Sequence, residues 1–486
     1  MHSIKKILIA NRGEIAVRVI LTAKRLGIKT VAVYSEADKN SLYVGLADES
    51  FFIGSSEPHL SYLNQDAILN AISVTGADAV HPGYGFLSEN ADFADKLQNL
   101  GIIFLGPKPD SIRAMGDKIG SRLLVSQFSV PVVPGYEGED QSMERFKLEA
   151  MKIGFPIMAK ASAGGGGKGM RRIESIDTLE ECILSAKREA ISSFGDDRIL
   201  LEKYITNPRH VEFQIFGDSF GNVIHLHERD CSLQRRHQKV VEESPAPHFP
   251  SELKQKMSSA AVQAAKAVSY MGAGTVEFIL GESGEFYFLE MNTRLQVEHP
   301  ITEMTTGLDL VELQIRVAEG GHLPEIPPQV GHAIEVRVYA EDPSNHFLPS
   351  IGKIHAISFP EGDGIRIDRG VQSGSEITIY YDPMIAKIIV WAETREKAIE
   401  KMIYALDETI VFGPISNISF LKALVDSDGF RKGQVSTHFI AEHESQLNLK
   451  ANSLHTRLAL AGIASSITNE LDPWEKLNRK GHQYAP

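Results

Sequence analysis

Cysteine is nearly absent from this 486-residue chain, with only Cys182 and Cys231 present. Two thiols exclude a disulfide framework and a Cys-rich metal site, and a reducing compartment, read as cytoplasmic, is expected. Positive charge is in deficit, 50 Lys and Arg against 63 Asp and Glu, for a net charge of −13. So acidic a chain is a poor general binder of polyanions, which argues against nucleic acid and anionic membranes as partners. Long apolar runs are missing too: none approaches the ~20 residues that span a bilayer. Ile7-Leu8-Ile9-Ala10 is too short for a signal segment, and Arg12 and Glu14 follow it at once. What remains is an ordinary globular composition, 43% hydrophobic and 23% charged, long enough for about three domains.

The first third alternates short β-branched runs with helical periodicity. Strands are expected at Ile4 to Ala10, Thr30 to Tyr34, Ser50 to Ile53, Ala79 to His81 and Ile102 to Leu105. Helices are expected at Glu14 to Leu26, Tyr62 to Val74 and Asn90 to Leu100, the rhythm of a doubly wound parallel sheet. The turn Ala10-Asn11-Arg12-Gly13-Glu14 has one glycine where a dinucleotide fingerprint needs three, so a nicotinamide site is disfavoured. The loop His81-Pro82-Gly83-Tyr84-Gly85-Phe86-Leu87-Ser88-Glu89-Asn90 follows a strand, where open α/β sheets place ligands, although a plain Gly/Pro turn reads the same way.

A strand-like Pro156 to Lys160 runs into Gly164-Gly165-Gly166-Gly167-Lys168-Gly169 and then into Met170 to Ile173. Adjacent glycines let backbone amides approach a phosphate, and Lys160 and Lys168 supply charge. The Walker A pattern fails here, because its opening glycine and its magnesium-holding hydroxyl are both missing. A phosphate would therefore lie under a hairpin and not on a helix N-terminus; the bland alternative is a flexible linker. Ala150-Met151-Lys152-Ile153 imitates a biotin attachment tetrapeptide, but Glu144 to Ile153 has helical spacing, so Lys152 is rejected as a biotinylation site.

Leu253 to Met271 is spaced as an amphipathic helix closed by Gly272, with a hairpin from Gly274 to Asn292 after it. If Leu280 pairs with Glu285, Glu277 lies opposite Phe288, with Glu290 its diagonal neighbour and Asn292 on the same face. Two carboxylates and an amide so placed suit a hard cation such as magnesium, while a solvated acidic edge is the alternative. Upstream, Glu228 to Lys239 gathers Arg229, Arg235, Arg236 and Lys239, either as a structural ion-pair network or as a seat for a small anion. On the strand Ile334 to Tyr339, Arg337 alternates onto an exposed polar face, where a surface salt bridge with Glu335 is the bland alternative.

These stretches together resemble biotin carboxylase of the ATP-grasp superfamily, as in acyl-CoA or pyruvate carboxylases. The residues carrying the likeness are Ala10 to Ala16, His81 to Asn90, Met115-Gly116-Asp117-Lys118, the glycine-rich loop, Glu228 to Glu243 and Glu290 to His299. The likeness implies an α/β (α+β overall) fold: an N-terminal doubly wound α/β domain over 1–118, and an ATP-grasp domain over 119–318 with a mobile glycine-rich lid at about 134–204. A mostly antiparallel C-terminal domain over 335–443 would follow. Over 444–486 the tail looks like the start of an acyl-CoA carboxylase linker, the carrier being a separate chain or lost by truncation.

By the same resemblance, ATP and bicarbonate form carboxyphosphate, and the carboxyl group passes to biotin on a carrier protein, biotin not being attached to this chain. Lys118, Lys160, His210 and His237 should contact the nucleotide, with Gly166 and Gly167 over its phosphates. Glu202, Lys203, Tyr204 and Ile205 should hold the adenine and Gln234 the ribose side. Glu277, Glu290 and Asn292 should bind Mg2+ or Mn2+. Lys239, Arg294, Gln296 and Val297 should hold bicarbonate, Glu298 should act as base, Arg337 should stabilise the biotin ureido oxygen, and Tyr84 should line the biotin site. The implied partners are a biotin carboxyl carrier protein, carboxyltransferase subunits and a second copy in a homodimer. Another ATP-grasp ligase, or a nucleotide-sensing subunit without catalysis, are the competing expectations; a carbamoyl-phosphate synthetase half would normally bring a repeated ATP unit, and only one glycine loop is present.

Overall fold

Five short β-branched runs, β1 (Lys6–Ile9), β2 (Lys29–Ser35), β3 (Glu49–Gly54), β4 (Ala79–His81) and β5 (Ile103–Phe104), form a parallel sheet in the order β3-β2-β1-β4-β5. This is the expected doubly wound arrangement, in a computed structural model that describes residues 3–161, 170–236 and 238–447. Continuous apolar strands are needed because helices cover both faces: Ile7 and Ile9 pack with Ile15, Val19 and Ile20 of helix Gly13–Arg25, and Leu8 and Val80 pack with Ile68, Phe93 and Leu97 opposite. The His81–Asn90 loop lies at the carboxyl end of β4. There Asn11 Nδ2 donates to the carbonyls of Pro82 (2.7 Å) and Tyr84 (2.8 Å). Gly83 is required at this point, since its φ is +62° and a Cβ would stand 2.8 Å from Asn11 Nδ2.

The next segment forms a four-stranded antiparallel sheet, β6 (Gly135–Tyr136), β7 (Ile157–Ala161), β8 (Met170–Ile173) and β9 (Ile199–Lys203), in the order β6-β9-β7-β8. Helices Met143–Ile153 and Ile176–Phe194 close a separate core on Phe146, Ile157, Ile173, Ile183 and Leu201. β7 and β8 pair antiparallel, Lys160 opposite Met170, as the hairpin expectation requires. Residues 162–169 between them, including Gly166, Gly167 and Lys168, lie outside the described residues. Lys152 sits on a helix and pairs with Glu149, so it is not at a β-turn.

The largest sheet has eight antiparallel strands. β10 (Arg209–Gly217), β11 (Val223–Arg235), β12 (Gln238–Ser244), β13 (Gly272–Leu280), β14 (Phe286–Asn292) and β15 (His332–Tyr339) join strands Met384–Ala392 and Ile365–Arg369. The order is β14-β13-β10-β11-β12-β15, then Met384–Ala392 and Ile365–Arg369. It is continuous through the pairing of β12 with β15, Val241 opposite Val336. Helix Ser251–Ala267 buries Met257, Ala261 and Ala264 against Val211, Phe213 and Phe278. This helix ends before the expected Gly272, because the chain reverses at Ser269 (φ 48°) and Gly272 already opens β13.

Two further expectations are corrected. In the hairpin, the Gly281–Glu285 turn is one residue wider than anticipated, so Leu280 pairs with Phe286, and Leu289 bulges out of β14. These two one-residue shifts cancel in parity, so the carboxylates stay on one face, but Glu277 now stands directly opposite Glu290 instead of diagonal to it. On β15, Glu335 and Arg337 are buried, not exposed, since β15 is an interior strand and their face lies under helix His299–Thr306. Arg337 therefore pairs with Glu242 and Glu298 and makes no surface bridge to Glu335.

Candidate functional site

Alternation along β10 puts His210, Glu212 and Gln214 on one face and Val211, Phe213 and Ile215 in the core. The register then lines up a row across four strands: Arg229 of β11, Glu212 of β10, Glu277 of β13 and Glu290 of β14. Like charges directly opposite one another repel, so three successive carboxylates in a row require cations. Arg229, fully buried, meets the first: its Nε donates to Glu212 (2.6 Å) and its amino groups to Gln214 (2.8 Å), Thr302 (3.0 Å) and Thr275 (3.0 Å).

Lys239 of β12 is the hub. Its Nζ lies 2.6 Å from Glu212 Oε2, 2.7 Å from Glu277 Oε1, 2.7 Å from Glu298 Oε1 and 3.2 Å from Gln296 Oε1. Glu298, at the start of helix His299–Thr306, is gripped at its other oxygen by Arg337 (3.0 Å), whose Nε also donates to Glu242 (2.7 Å). Burial alone would raise the Glu298 carboxyl, but Lys239, Arg337 and Arg229 hold it well below the usual range. Glu277 is likewise held low against burial by Lys239 and His210. Burial raises Glu212 despite its cations and pushes Glu242 up to about 7. The Lys239 ammonium and Arg337 guanidinium are driven up by these acids against the desolvation that opposes their charge.

Of the remaining expected residues, His210, Gln234, Asn292, Arg294 and Gln296 join this row through their hydrogen bonds, while Tyr84, Lys160 and Glu202 to Ile205 are held by partners outside it. His210 Nε2 lies 3.0 Å from Glu277 Oε2, and Gln234 Nε2 meets His210 Nδ1 at 2.8 Å. Asn292 Nδ2 (2.8 Å) and Gln296 Nε2 (2.9 Å) both donate to Glu277 Oε1. Arg294 spans Asn292 Oδ1 (2.9 Å) and Glu89 (2.9 Å), so the His81–Asn90 loop is tied to the turn that carries Gln296, Val297 and Glu298. The Tyr84 hydroxyl donates to Glu14. Lys160 and Arg122 both pair with Glu202 at the end of β9. The Lys203 and Tyr204 amides are engaged with Pro134 and Pro156, the Arg172 guanidinium stacks 4.3 Å over the Tyr204 ring, and Ile205 is buried. The Lys118 side chain, Gly166, Gly167 and His237 lie outside the described residues.

The donor set fits a divalent cation. Glu277 and Glu290 face each other from paired positions, where Cβ atoms are ~4.5–5.5 Å apart, closer than the diagonal spacing first expected. His210, Glu212 and Glu277 also present ligand atoms within 4.8 Å of one another. With oxygen predominating, the set suits magnesium or manganese better than a soft metal. Among the described residues, Glu212, Glu242, Glu89, Glu14 and Lys387 belong to the same network without a role having been read for them from the sequence, whereas Arg229 takes the ion-pair alternative offered for its cluster. The alternation His210, Glu212, Gln214 was a signal available for one of them.

The chain matches the models "Biotin carboxylase, N-terminal domain" over residues 3–112, "Carbamoyl-phosphate synthase L chain, ATP binding domain" over 117–326 and "Biotin carboxylase C-terminal domain" over 335–442. It is 54% identical, over 488 residues, to the mitochondrial methylcrotonoyl-CoA carboxylase subunit alpha of Dictyostelium discoideum, covering 98% of this chain and 70% of that one. Across such relatives the chain spans 60% to 70% of their length. Among solved structures, a biotin carboxylase β,γ-ATP complex from Campylobacter jejuni superposes with TM-score 0.85 at 47% identity, covering 91% of this chain and 99% of that one. The biotin carboxylase domain of a thermophilic 2-oxoglutarate carboxylase bound to bicarbonate gives TM-score 0.88 at 44% identity, covering 92% and 100%. The chain belongs to the biotin carboxylase family, a family of ATP-dependent ligases.

Proposed function

We propose that this chain carries out the first half-reaction of an acyl-CoA carboxylase: ATP and bicarbonate form carboxyphosphate, and the carboxyl group is transferred to the biotin of a carrier protein. The observation that supports it most is the double grip on Glu298, one oxygen on Lys239 and the other on Arg337, beside Arg294 and Gln296. Glu298 is the base for bicarbonate. Paired with two cations it is a carboxylate of low basicity, and an anion entering the cluster draws those cations away and raises its proton affinity when a base is needed. Lys239, Arg294 and Gln296 orient bicarbonate toward the γ-phosphate, with Lys160 and His210 on the nucleotide. Mg2+ or Mn2+ held by Glu277, Glu290 and Asn292 supplies charge neutralisation on the phosphates. Arg337 then stabilises the ureido oxygenate of biotin as the carboxyl group is accepted, and Tyr84 lines that side. Lys118, His237, Gly166 and Gly167, with Glu202 to Ile205 and Gln234, complete the nucleotide site in this reading.

The partners follow: a biotinylated carrier, a carboxyltransferase that chooses the acceptor, and a second copy of the chain. An acyl-CoA acceptor is supported by the names of the relatives. The compartment is reducing, cytoplasmic on the sequence expectation, although the relative from Dictyostelium is named as mitochondrial. No helix among the described residues is long and apolar enough to cross a membrane. The test is ATP hydrolysis by the purified chain. It is expected to require bicarbonate and magnesium and to rise with free biotin; hydrolysis indifferent to bicarbonate, or none, refutes the reading.

A further inference from the structure

Lys387, midway along strand Met384–Ala392, is a fully buried lysine to which the proposed reaction assigns no part. It stands directly opposite Arg337 on β15. Arg337 holds the Glu298 side chain, and Lys387 Nζ donates to the carbonyl of the residue before it, Val297, at 2.8 Å. Two cations on adjacent strands thus grip successive residues of the bicarbonate turn, one through a side chain and one through the peptide that orients that side chain. Lys387 Nζ also lies 3.3 Å from Glu14 Oε2 and 3.6 Å from Asp368 Oδ2. Asp368 is clamped by Arg366, which extends to Glu303 on the helix that Glu298 begins. Glu14, on the first turn of the N-terminal domain's helix Gly13–Arg25, accepts the Tyr84 hydroxyl on its other oxygen. One ammonium group therefore joins the β-sheet, the bicarbonate turn and the biotin-side tyrosine.

A lysine used only to stabilise the sheet would satisfy itself on strand carbonyls or a single carboxylate; this one spends its shortest bond on the turn. We propose that Lys387 is a positioning residue: by fixing the Val297–Glu298 peptide and, through Glu14, Tyr84, it sets the distance between the bicarbonate base and the biotin side of the site, touching neither substrate. This rests on the function proposed above.

The test measures magnesium-dependent ATP hydrolysis with free biotin while bicarbonate and ATP are varied separately, for the unsubstituted chain, Lys387→Met, Lys387→Arg and Glu14→Gln. Misplacement of a reacting group by ~1 Å costs up to ~100-fold, so Lys387→Met is expected to raise KM for bicarbonate and lower kcat by ~10-fold or more each, with KM for ATP within ~2-fold. Lys387→Arg is expected to restore part of the loss. Glu14→Gln, which keeps an acceptor for Tyr84 but removes the charge facing Lys387, is expected to raise KM for bicarbonate by ~3-fold. A folded Lys387→Met with unchanged bicarbonate parameters overturns the proposal, as does an equal rise in both KM values. If Lys387→Met does not fold, an unaltered bicarbonate KM in Glu14→Gln overturns it. An unsubstituted chain without bicarbonate-dependent hydrolysis overturns the function, whereas an active one with indifferent variants overturns this inference alone.

Discussion

Replacing Lys239 by methionine removes the one ammonium that three buried carboxylates share while keeping most of the side-chain volume. Among the described residues, Glu212, Glu277, Glu298 and Glu242 then keep ion pairs with Arg229, Arg337 and His210 alone. Removing one partner of a buried ion pair costs ~3–5 kcal/mol, because the charges left behind lack compensation. At ~2–4 °C per kcal/mol for a domain of this size, the melting temperature is expected to fall by ~6–20 °C near pH 8. The molecule has a way to recover part of this, which is to take up a proton on one of the orphaned carboxylates. That group's folded pKa rises above its unfolded value, so the stability it contributes is complete at low pH and is lost as pH rises through the folded pKa. Each pH unit below the raised pKa returns ~1.4 kcal/mol, and the deficit is expected to shrink by up to ~2.7 kcal/mol between pH 8 and pH 6. Melting followed by circular dichroism at the two pH values, variant against unsubstituted chain, measures this. A deficit that is the same at both, or smaller than ~1 kcal/mol at pH 8, refutes the idea that Lys239 neutralises this cluster.

Glu242, raised to about 7 by burial despite Arg337, contributes stability that is full below the ordinary carboxylate range and lost as pH rises through about 7. The melting temperature should fall between pH 6 and pH 8.5, less steeply in Glu242→Gln; parallel slopes would disprove this. Arg294→Met leaves a partly exposed side chain missing from the Glu89–Asn292 bridge, so a loss under ~1 kcal/mol is expected together with a rise of ~10-fold or more in KM for bicarbonate. Steady-state kinetics and melting together check it. Phe278→Ala empties a site where the ring packs edge-on against Phe213 (6.3 Å) and Phe286 (5.6 Å), and should cost ~3–5 kcal/mol in thermal unfolding.

The parallel sheet was legible because its strands are buried on both faces and so read as unbroken apolar runs between helical periods. The carboxylate hairpin was legible in composition but not in register. Leu289 can bulge or pair with equal local ease, and no neighbouring residue signals which, so the opposition of Glu277 and Glu290 emerged only from the fold. Arg337 was placed on the correct face of its strand and misjudged in exposure, because alternation tells which side a residue takes and not what covers that side. Glu14, Glu242 and Lys387 were invisible for a related reason. Lys387 is a lone charge within an apolar run, Glu14 and Glu242 stand among other charges that give no hint of their partners, and the sequence separation between Glu14 and Lys387 hides their meeting at 3.3 Å.

The eight-stranded sheet has a consequence for dividing the molecule. Lys239, Arg337 and Lys387 stand on three consecutive strands, and β12 and β15 are joined by hydrogen bonds although the stretch from 245 to 331 separates them in sequence. A gene cut between the helix ending at Ala318 and β15, where two lobes would be assigned by sequence alone, leaves each fragment with a raw strand edge, apolar on one side and charged on the other. Such edges template aggregation. The two fragments would regain solubility and the Glu298 grip only by finding each other, so that seam is suited to a complementation pair and unsuited to independent expression of either half.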